Sequence, residues 1–299
     1  MVRILLTGAT GQVGWELART LMPLGRVIVP DRSQCDLAKL DTLTALVGAL
    51  QPDVIVNAAA FTAVDLAEAE PHLAMTINGR APGTLAVAAR RWGALLVHYS
   101  TDYVFDGAKR APYTETDQPN PASEYGRTKL AGEEAVRASG ADYLIFRTSW
   151  VYAARGKNFL RTILNLAAER EELRVVADQV GAPTWARLIA EATTLALRQD
   201  LGERKRGNFK SALLNLTAGG ETTWHGFASA IVAGARERGA ALKCRNVTAI
   251  TTAEYPLPAP RPANSRLSGA GLAERYGLEL PSWQHCTQLC LDELYHTTP

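Results

Sequence analysis

The chain has 299 residues, of which 47% are hydrophobic and 21% charged, the composition of an ordinary globular protein. It is longer than a typical single-core domain, so one large α/β domain or two domains are expected. A net charge of +2 argues against a nucleic-acid-binding tail and an acidic scaffold. We see no signal peptide and no apolar run near the ~18 residues that span a membrane, so we expect a soluble, cytoplasmic protein without membrane or nucleic-acid partners.

Short apolar runs alternate with helical patterns through the first half of the chain. The runs VRILLTG, RVIVPD, DVIVNAAA, ALLVHYST and DYLIFRTS are rich in Val, Ile and Leu, which is typical of parallel strands buried on both faces. Between them, WELARTLMPLG, LDTLTALVGALQP and GRAPGTLAVAARRWG have apolar residues at helical spacing and a Gly or Pro at the end. The pattern predicts an α/β fold, a doubly wound parallel sheet of the Rossmann type.

The pattern loosens after about Trp150. Three helical segments, NFLRTILNLAAERE, WARLIAEATTLALRQD and WHGFASAIVAGARERG, accompany two short predicted strands, LRVVAD and ALLNLT. The Pro-rich EYPLPAPRPANSRL is predicted to be a loop. We predict a dinucleotide-binding domain over residues 1–148 and a smaller α/β substrate domain over residues 149–299, with some later segments returning to the first sheet.

The four cysteines contain no CxxC pair. Two of them, Cys286 and Cys290, can share a helix face near His285, but two further zinc ligands are not evident. We expect small buried side chains at all four positions, Cys35, Cys244, Cys286 and Cys290.

A glycine-rich turn follows the first predicted strand. Gly8, Gly11 and Gly14 are spaced G-x-x-G-x-x-G and are followed by a predicted helix. Glycines there let the backbone turn tightly and approach a pyrophosphate, whose charge the helix N-terminus stabilises. The triplet alone is weak evidence, because many strand-to-helix turns carry glycine, but its position predicts a dinucleotide site.

The second predicted strand ends in residues that bear on cofactor choice. Asp31, about 20 residues past the glycines, can accept both ribose hydroxyls and so favours NADH. Arg32 can instead neutralise the 2′-phosphate of NADPH, or it is a solvated loop charge. The two residues leave both cofactors open. Asp36 and Leu37 suit the adenine edge, and the small-residue run 58–62 can pass a dinucleotide or pack against a helix.

A tyrosine and a lysine stand one helical turn apart. Tyr125 and Lys129 share a helix face, and a nearby ammonium is expected to lower the pKa of a tyrosine from its usual ~10 and ease proton exchange. The spacing alone is also that of a surface pair. Its context favours catalysis, because Thr101 follows a predicted strand at the carboxyl edge of the sheet, where ligands bind, and can hold a substrate carbonyl oxygen beside Tyr125.

The order of glycine loop, strand-end Thr and Tyr-x-x-x-Lys resembles the extended branch of the short-chain dehydrogenase/reductase superfamily. More narrowly, the chain resembles the dTDP-4-dehydrorhamnose reductase family over nearly its whole length. The segments that carry this resemblance are GATGQVGWEL, VNAAAFTAVDLAE, HYSTDYVFDG, YGRTKLAGE, FRTSWVYA, DQVGAPT and RPANSRL. Two of them, STDYVFDG and RTSWVYA, are far more specific than the glycine loop.

The resemblance implies roles for individual residues. Tyr125 would donate a proton, Lys129 would assist it and hold the nicotinamide ribose, and Thr101 would tune the substrate oxygen. Asp102 would lie beside that oxygen and Trp150 would stack on the deoxysugar, although the sequence alone also allows Trp150 as a core aromatic. The predicted dinucleotide contacts are Gly8, Gly11, Gln12, Val13, Gly14, Asp31, Arg32, Asp36, Leu37, Ala60, Phe61, Thr62, Tyr125 and Lys129.

The implied reaction is hydride transfer from NADPH or NADH to C4 of a dTDP-4-keto-6-deoxysugar, dTDP-4-dehydro-β-L-rhamnose. Three alternative functions are less favoured. Related dehydratases carry an Asp-Glu pair where this chain has Asp102-Tyr103, so the second acid is missing. A sugar-nucleotide epimerase is disfavoured, since a single proton donor suits a net reduction. A non-catalytic subunit, like the regulatory subunit of methionine adenosyltransferase, is disfavoured by the intact catalytic set.

The resemblance also raises the question of a metal. Some members of the family are thought to dimerise through magnesium held by acidic residues, and two such positions match Glu16 and Glu293. The third falls on Arg187, a cation that opposes divalent metal binding unless Glu191 substitutes. We therefore predict no required metal, and a monomer or homodimer. We interpret the three residues as surface charges, with the alternative that Arg187 pairs directly with Glu16 or Glu293.

Two further predictions concern charged side chains. Arg261 and Arg266 can contact the substrate's diphosphate, because Arg suits bidentate phosphate contacts; otherwise they are solvated. Glu133 and Glu134, which follow the Tyr-x-x-x-Lys motif, are predicted to form the solvated face of its helix.

Overall fold

A computed structural model describes residues 1–295 of the chain. Its central feature is a six-stranded parallel sheet in the order β10-β5-β4-β3-β1-β2. The predicted doubly wound α/β fold is therefore confirmed. The strands are β1 (Val2–Thr7), β2 (Gly25–Ile28), β3 (Val54–Asn57), β4 (Leu95–Thr101), β5 (Asp142–Thr148) and β10 (Ala212–Asn215).

Helices cover both faces of this sheet. Alternate residues of each strand point to opposite sides of the sheet. Leu6 and Val97 pack in one core, here called the core beneath the sheet, while Leu5 and Leu96 pack in the core above the sheet. The helices of this half are α1 (Gln12–Thr20), α2 (Leu40–Leu50), α3 (Val64–Ala69), α4 (Pro71–Met75), α5 (Ala81–Trp92) and α6 (Glu124–Ala138). A π-helical turn, Thr76–Arg80, joins α4 to α5, and 3₁₀ turns lie at Met22–Leu24 and Asp102–Val104.

The second half of the chain contributes to the core beneath the sheet and also builds a core of its own. Its helix α8 (Ala186–Arg206) supplies Ile189 to the core beneath the sheet, and β10 extends the sheet beside β5. A separate core includes Phe227 and Leu160. The remaining elements are β6 (Val151–Tyr152), α7 (Phe159–Glu169), β7 (Glu172–Val176), β8 (Val180–Gly181), β9 (Thr184–Trp185), β11 (Thr222–Thr223), α9 (Trp224–Glu237), β12 (Asn246–Ile250), α10 (Ala270–Tyr276) and α11 (Trp283–Tyr295).

Later segments thus return to the first sheet, while the predicted division at residue 148 stays a prediction. The Pro-rich segment is irregular apart from a 3₁₀ turn at Thr252–Glu254. All four cysteines are buried and free, as predicted. Within residues 1–295, no helix is long and apolar enough to cross a membrane. Over the same range, no three His, Cys, Asp or Glu side chains group as a metal site would require.

Candidate active site

The glycine turn after β1 has the geometry of a dinucleotide cradle. Gly8 has φ +73°, and a Cβ there would lie 2.5 Å from the backbone nitrogen of Ala59. A Cβ at Gly14 would lie 2.1 Å from the carbonyl oxygen of Gly8. Gly11 precedes α1 without a side-chain cap, and the first turn of α1 holds no acidic residue. The free N–H groups at that helix start fit a pyrophosphate.

The flanking residues of the turn fix its position. The Gln12 side chain accepts a hydrogen bond from Asn158 Nδ2 at 2.9 Å, so the second half of the chain reaches the glycine turn. Val13 packs on the core beneath the sheet. The residues present therefore fit a bound dinucleotide at this edge.

The strand β2 leads to the residues predicted to select the cofactor. The Asp31 carboxylate is exposed and accepts hydrogen bonds from the Ser33 hydroxyl and backbone N–H, and the hydroxyl lowers the pKa of Asp31. Arg32 is exposed. Asp36 accepts the N–H of Ala38 at 3.0 Å, whereas Leu37 is buried in the core above the sheet. An anionic Asp31 and an exposed Arg32 therefore both follow β2, and their contact with the adenine ribose stays a prediction.

The segment after β3 is held by a residue that the sequence reasoning missed. Asn78, in the π-helical turn, accepts the N–H of Phe61 at 2.8 Å and donates to the Phe61 carbonyl at 2.9 Å. Its Nδ2 also donates to Thr128 Oγ1 at 3.2 Å. Asn78 thus links the run Ala60–Thr62 to the helix that carries Lys129. The sequence feature that could have revealed Asn78 is its position inside a helical segment. Asparagine destabilises a helix there unless its side chain forms hydrogen bonds with backbone groups.

Helix α6 brings Tyr125 to the carboxyl end of β4. Ser123 caps the helix by accepting the N–H of Gly126 at 3.2 Å, and Glu68 accepts the N–H of Glu124 at 2.8 Å. A Cβ at Gly126 would lie 2.1 Å from the carbonyl oxygen of Tyr103, so glycine is needed for this close approach. The Tyr103 and Tyr125 rings meet edge to face at 5.4 Å. The predicted catalytic tyrosine is therefore held against the end of β4.

The environment of Tyr125 changes one expectation. Burial and the charge of Asp102 raise the pKa of Tyr125, and the hydrogen bond with Thr101 only partly offsets this effect. The predicted lowering of the Tyr125 pKa by the Lys129 ammonium is therefore wrong. Lys129 is buried and its Nζ donates to the Tyr99 carbonyl at 2.5 Å. A phenol with a raised pKa keeps its proton and is suited to the role of donor.

Lys129 and Asp102 have shifted pKa values of their own. Burial lowers the pKa of Lys129 to about 8, against the opposing charge of Glu133. Burial raises the pKa of Asp102 to about 6, partly offset by the nearby Ser265 and Thr101 hydroxyls. Thr101 Oγ1 donates to Asp102 Oδ1 at 3.0 Å, while Oδ2 has no partner among the described residues. Perturbed groups of this kind cluster at functional sites.

Glu133 is not solvated, so that prediction was wrong. Its side chain is 1% exposed and binds the guanidinium of Arg147 with both oxygens, at 2.8 and 2.6 Å. Arg147, 2% exposed, lies on β5 and its guanidinium also stacks over the ring of Phe105. Only Glu134 is exposed as predicted. A glutamate one turn beyond Lys129 is buried because an arginine of the sheet pairs with it.

Trp150 follows β5 at the same edge of the sheet. It has φ +49°, and its ring stacks on that of Trp224 with centroids 3.6 Å apart and planes at 11°. The Trp224 Nε1 donates to Gln179 Oε1 at 3.2 Å. Trp150 is half-buried rather than enclosed in a core.

Comparison with known proteins agrees with this geometry. The family described as the RmlD substrate binding domain matches residues 2–296. The chain belongs to this family. A dTDP-4-dehydrorhamnose reductase of Burkholderia thailandensis is 55% identical, with 98% of this chain and 99% of that protein covered. One from Shigella flexneri is 47% identical, with 99% of each covered. The crystal structure of the Bacillus anthracis reductase in complex with NADP superposes with a TM-score of 0.88 at 33% identity, covering 98% and 100%.

Within this RmlD-type chain, the three residues considered for a metal site form ion pairs with one another. Arg187 contacts Glu16 at 3.4 Å and Glu293 at 2.8 Å. Glu16 is 5% exposed, so our interpretation as surface charges is wrong and the alternative of a direct pair holds. Burial opposes the charge of Arg187, but Glu16 and Glu293 outweigh it and raise its pKa. Glu191, exposed on the same helix, adds a smaller contribution in the same direction. The guanidinium occupies the space between Glu16 and Glu293.

The two late arginines of this family member are also paired. Arg261 contacts Asp65 of α3 at 2.7 Å, and Arg266 contacts Glu221 at 2.7 Å. Arg266 Nε also donates to Asn264 Oδ1 at 2.8 Å. These pairs attach the Pro-rich loop to α3 and to the residue that precedes β11. The interpretation as solvated loop charges is therefore wrong. The predicted diphosphate contact stays a prediction.

Proposed function

We propose that this chain reduces C4 of dTDP-4-dehydro-β-L-rhamnose with NADPH or NADH, giving dTDP-L-rhamnose. The observation that carries the proposal is the neutral, proton-holding Tyr125 beside Thr101 at the sheet edge that also holds the glycine cradle. Full-length similarity to proteins named dTDP-4-dehydrorhamnose reductase supports it. The same edge is where doubly wound sheets bind their ligands.

In this proposal the bound nicotinamide supplies the hydride to C4 of the sugar. The phenol of Tyr125 gives its proton to the C4 oxygen as negative charge develops there, and Thr101 holds that oxygen. Lys129, charged below its pKa of about 8, provides a buried positive charge one turn along the helix. A fixed charge in a water-poor site stabilises a developing anion more than it would in water.

The proposed residue roles extend to the cofactor. Gly8, Gly11 and Gly14 would surround the pyrophosphate, with Gln12 and Val13 on the same turn. Asp31 and Arg32 would face the adenine ribose, and the exposed position of Arg32 leaves room for the 2′-phosphate of NADPH. The segment Ala60–Thr62 would line the middle of the dinucleotide, since Asn78 fixes its backbone.

Parallel assays of NADH and NADPH oxidation with enzymatically generated dTDP-4-dehydro-L-rhamnose test the proposal. We expect oxidation that depends on the sugar, with dTDP-L-rhamnose as the product. Oxidation of neither cofactor would contradict it and favour the non-catalytic subunit. Interconversion of C4 epimers of a sugar nucleotide without net cofactor oxidation would favour an epimerase instead. We also propose that the protein is cytoplasmic and that its two domains divide at residue 148. We propose that it is a monomer or a homodimer.

A further inference from the structure

Three buried charged side chains lie where helix α6 packs on strand β5. Lys129 and Glu133 share one face of α6, because they are four residues apart. Arg147 comes from β5. The three side chains are 2%, 1% and 2% exposed, respectively. Charges in the interior are costly unless they are paired, so the choice of partners among these three groups matters.

The Glu133 carboxylate has a cation on its own helix and another on β5, and it binds the second. Its Oε1 accepts a hydrogen bond from Arg147 Nε at 2.8 Å, and its Oε2 accepts one from Nη2 at 2.6 Å. The Lys129 ammonium donates instead to the carbonyl of Tyr99 at 2.5 Å. A guanidinium matches a carboxylate in bidentate geometry, which an ammonium cannot do. Arg147 therefore holds both oxygens of Glu133, and Lys129 bonds to an uncharged group.

Arg147 is itself held firmly. Its residue pairs in register with Ser100 of β4 on one side and with Asn215 of β10 on the other. The guanidinium lies over the ring of Phe105 at 4.9 Å, and that ring stacks on Tyr113 with centroids 4.1 Å apart. Glu133 is thus bound from a fixed position inside the sheet.

The other titratable groups near Lys129 leave its charge to Glu133. Burial and the Lys129 charge lower the pKa of His98 on β4 well below its usual value, so that imidazole is neutral. Tyr125 keeps its proton, because burial and the charge of Asp102 raise its pKa. Among the described residues of the elements packed on α6, Glu133 is the one whose charge acts on the pKa of Lys129, where it opposes the effect of burial.

We propose that Arg147 is a positioning residue for the reaction, which holds both oxygens of Glu133 and so leaves the Lys129 ammonium free to serve the nicotinamide ribose and Tyr125. Without the guanidinium, Glu133 would be a buried anion with Lys129 as its neighbour along the helix, and the two would pair. That pair would draw the ammonium away from the Tyr99 carbonyl. The inference rests on the proposed function, and it gives Arg147 a role beyond fastening α6 to β5.

The titration of Lys129 in the free protein tests the inference without substrate. It is followed by NMR of lysine side chains labelled with ¹³C at Cε, and Lys129→Met identifies the resonance. In Arg147→Met, the unpaired Glu133 favours the ammonium, so Lys129 should titrate at least about one pH unit above the wild-type side chain. In Glu133→Gln, the favourable charge is lost while Arg147 remains, so Lys129 should titrate at least about one pH unit below it.

The variant with both substitutions separates positioning from fastening. It removes both buried charges of the pair, so Lys129 should titrate close to the wild-type pH. A role confined to fastening predicts lower stability in each single variant, but not shifts of opposite sign. Unchanged titration, or shifts of the same sign, would overturn the inference. If Arg147→Met does not fold, Glu133→Gln and the double variant still decide the question.

Two matched controls lie on the same helix. Glu134→Gln and Arg137→Met make the same changes of charge at exposed positions of α6. Exposed charges are screened by water, so neither variant should move the titration of Lys129 or the rate of turnover. Shifts in these controls as large as those at Glu133 and Arg147 would overturn the inference, because the effect would then not require the buried pair.

Sugar-dependent oxidation of NADPH gives the second readout. At pH 7 with saturating substrates, Arg147→Met should lower kcat about ten-fold, because a displaced Lys129 no longer serves the reacting groups. The double variant should recover most of this loss. Wild-type protein without such oxidation would overturn the proposed function, and the role of Arg147 in turnover with it, whatever the titration shows. An active wild type with unchanged kcat and Lys129 titration in Arg147→Met would overturn the inference alone.

Discussion

At the scale of single residues, the pKa values of the ionisable groups in the site depend more on burial than on the nearest charges. Tyr125 and Lys129 form a motif in which the ammonium was expected to lower the tyrosine pKa. Burial instead raises the pKa of Tyr125 and lowers that of Lys129 to about 8, since each loses its charged form to the low-dielectric interior. The free enzyme therefore holds a neutral phenol beside a lysine that titrates near physiological pH.

The lowered pKa of Lys129 predicts that kcat/KM depends on pH. Because burial lowers its pKa to about 8, Lys129 is charged below that pH and neutral above it. We expect kcat/KM, which reports groups of the free enzyme, to be highest below about pH 8 and to fall as the pH rises through it. Initial rates measured across this range check the prediction. The alkaline decline should be absent from the residual activity of Lys129→Met, and a wild-type profile flat to about pH 10 would contradict the assignment.

At the scale of elements, helix α6 is tied to strand β5 by a buried ion pair. Glu133 and Arg147 are 1% and 2% exposed and share two hydrogen bonds. The spacing places Glu133, rather than Glu134, on the helix face of Tyr125 and Lys129. The sequence could not reveal its partner, because Arg147 lies on a strand whose register was unknown.

This pair predicts unequal effects of two neighbouring substitutions. Glu133→Ala leaves Arg147 buried without its partner and should lower the free energy of unfolding by about 3–5 kcal/mol. Glu134→Ala, at an exposed position of the same helix, should change it by less than about 0.5 kcal/mol. Urea unfolding of the two variants provides the comparison. Equal stabilities would show that the buried pair does not hold α6 to β5.

At the scale of the whole molecule, some of the late elements pack on the first half of the chain, while others form a core of their own. Strand β10 extends the sheet, and α8 packs beneath it. Arg187 of α8 joins Glu16 of α1 to Glu293 of α11. One cation therefore connects the helix after the glycine cradle to the C-terminal helix.

The ion pairs of Arg187 predict that the protein needs no metal ion and that Arg187 stabilises the folded state. EDTA should leave activity and oligomeric state unchanged, because the guanidinium already neutralises Glu16 and Glu293. Arg187→Ala should lower the free energy of unfolding by about 1–3 kcal/mol, since Glu16 would be left nearly buried without its partner. Arg198→Ala, an exposed change on the same helix, is the control. Lost activity on chelation, restored by magnesium, would refute this account.

Much of the architecture could be predicted from the sequence, because apolar runs and glycine turns determine structure over a few neighbouring residues. The buried runs predicted all five strands of the first half, and the glycine triplet located the cradle. Short helices such as α3 and α10 were missed, since six or seven residues carry little periodicity. Asn78 and Glu133 were missed because their roles depend on partners distant in sequence. The stacking of Trp150 on Trp224 likewise joins two residues that only the folded chain brings together.

The most direct test of the central claim follows the hydride and the proton donor together. Wild-type protein and Tyr125→Phe are incubated with dTDP-4-dehydro-L-rhamnose and NADPH deuterated on the transferring side of nicotinamide C4, and the product is analysed by mass spectrometry and NMR. The account predicts deuterium at C4 of dTDP-L-rhamnose with wild-type protein, and a rate at least about 100-fold lower with Tyr125→Phe. A product without deuterium at C4, or wild-type turnover by Tyr125→Phe, would contradict it.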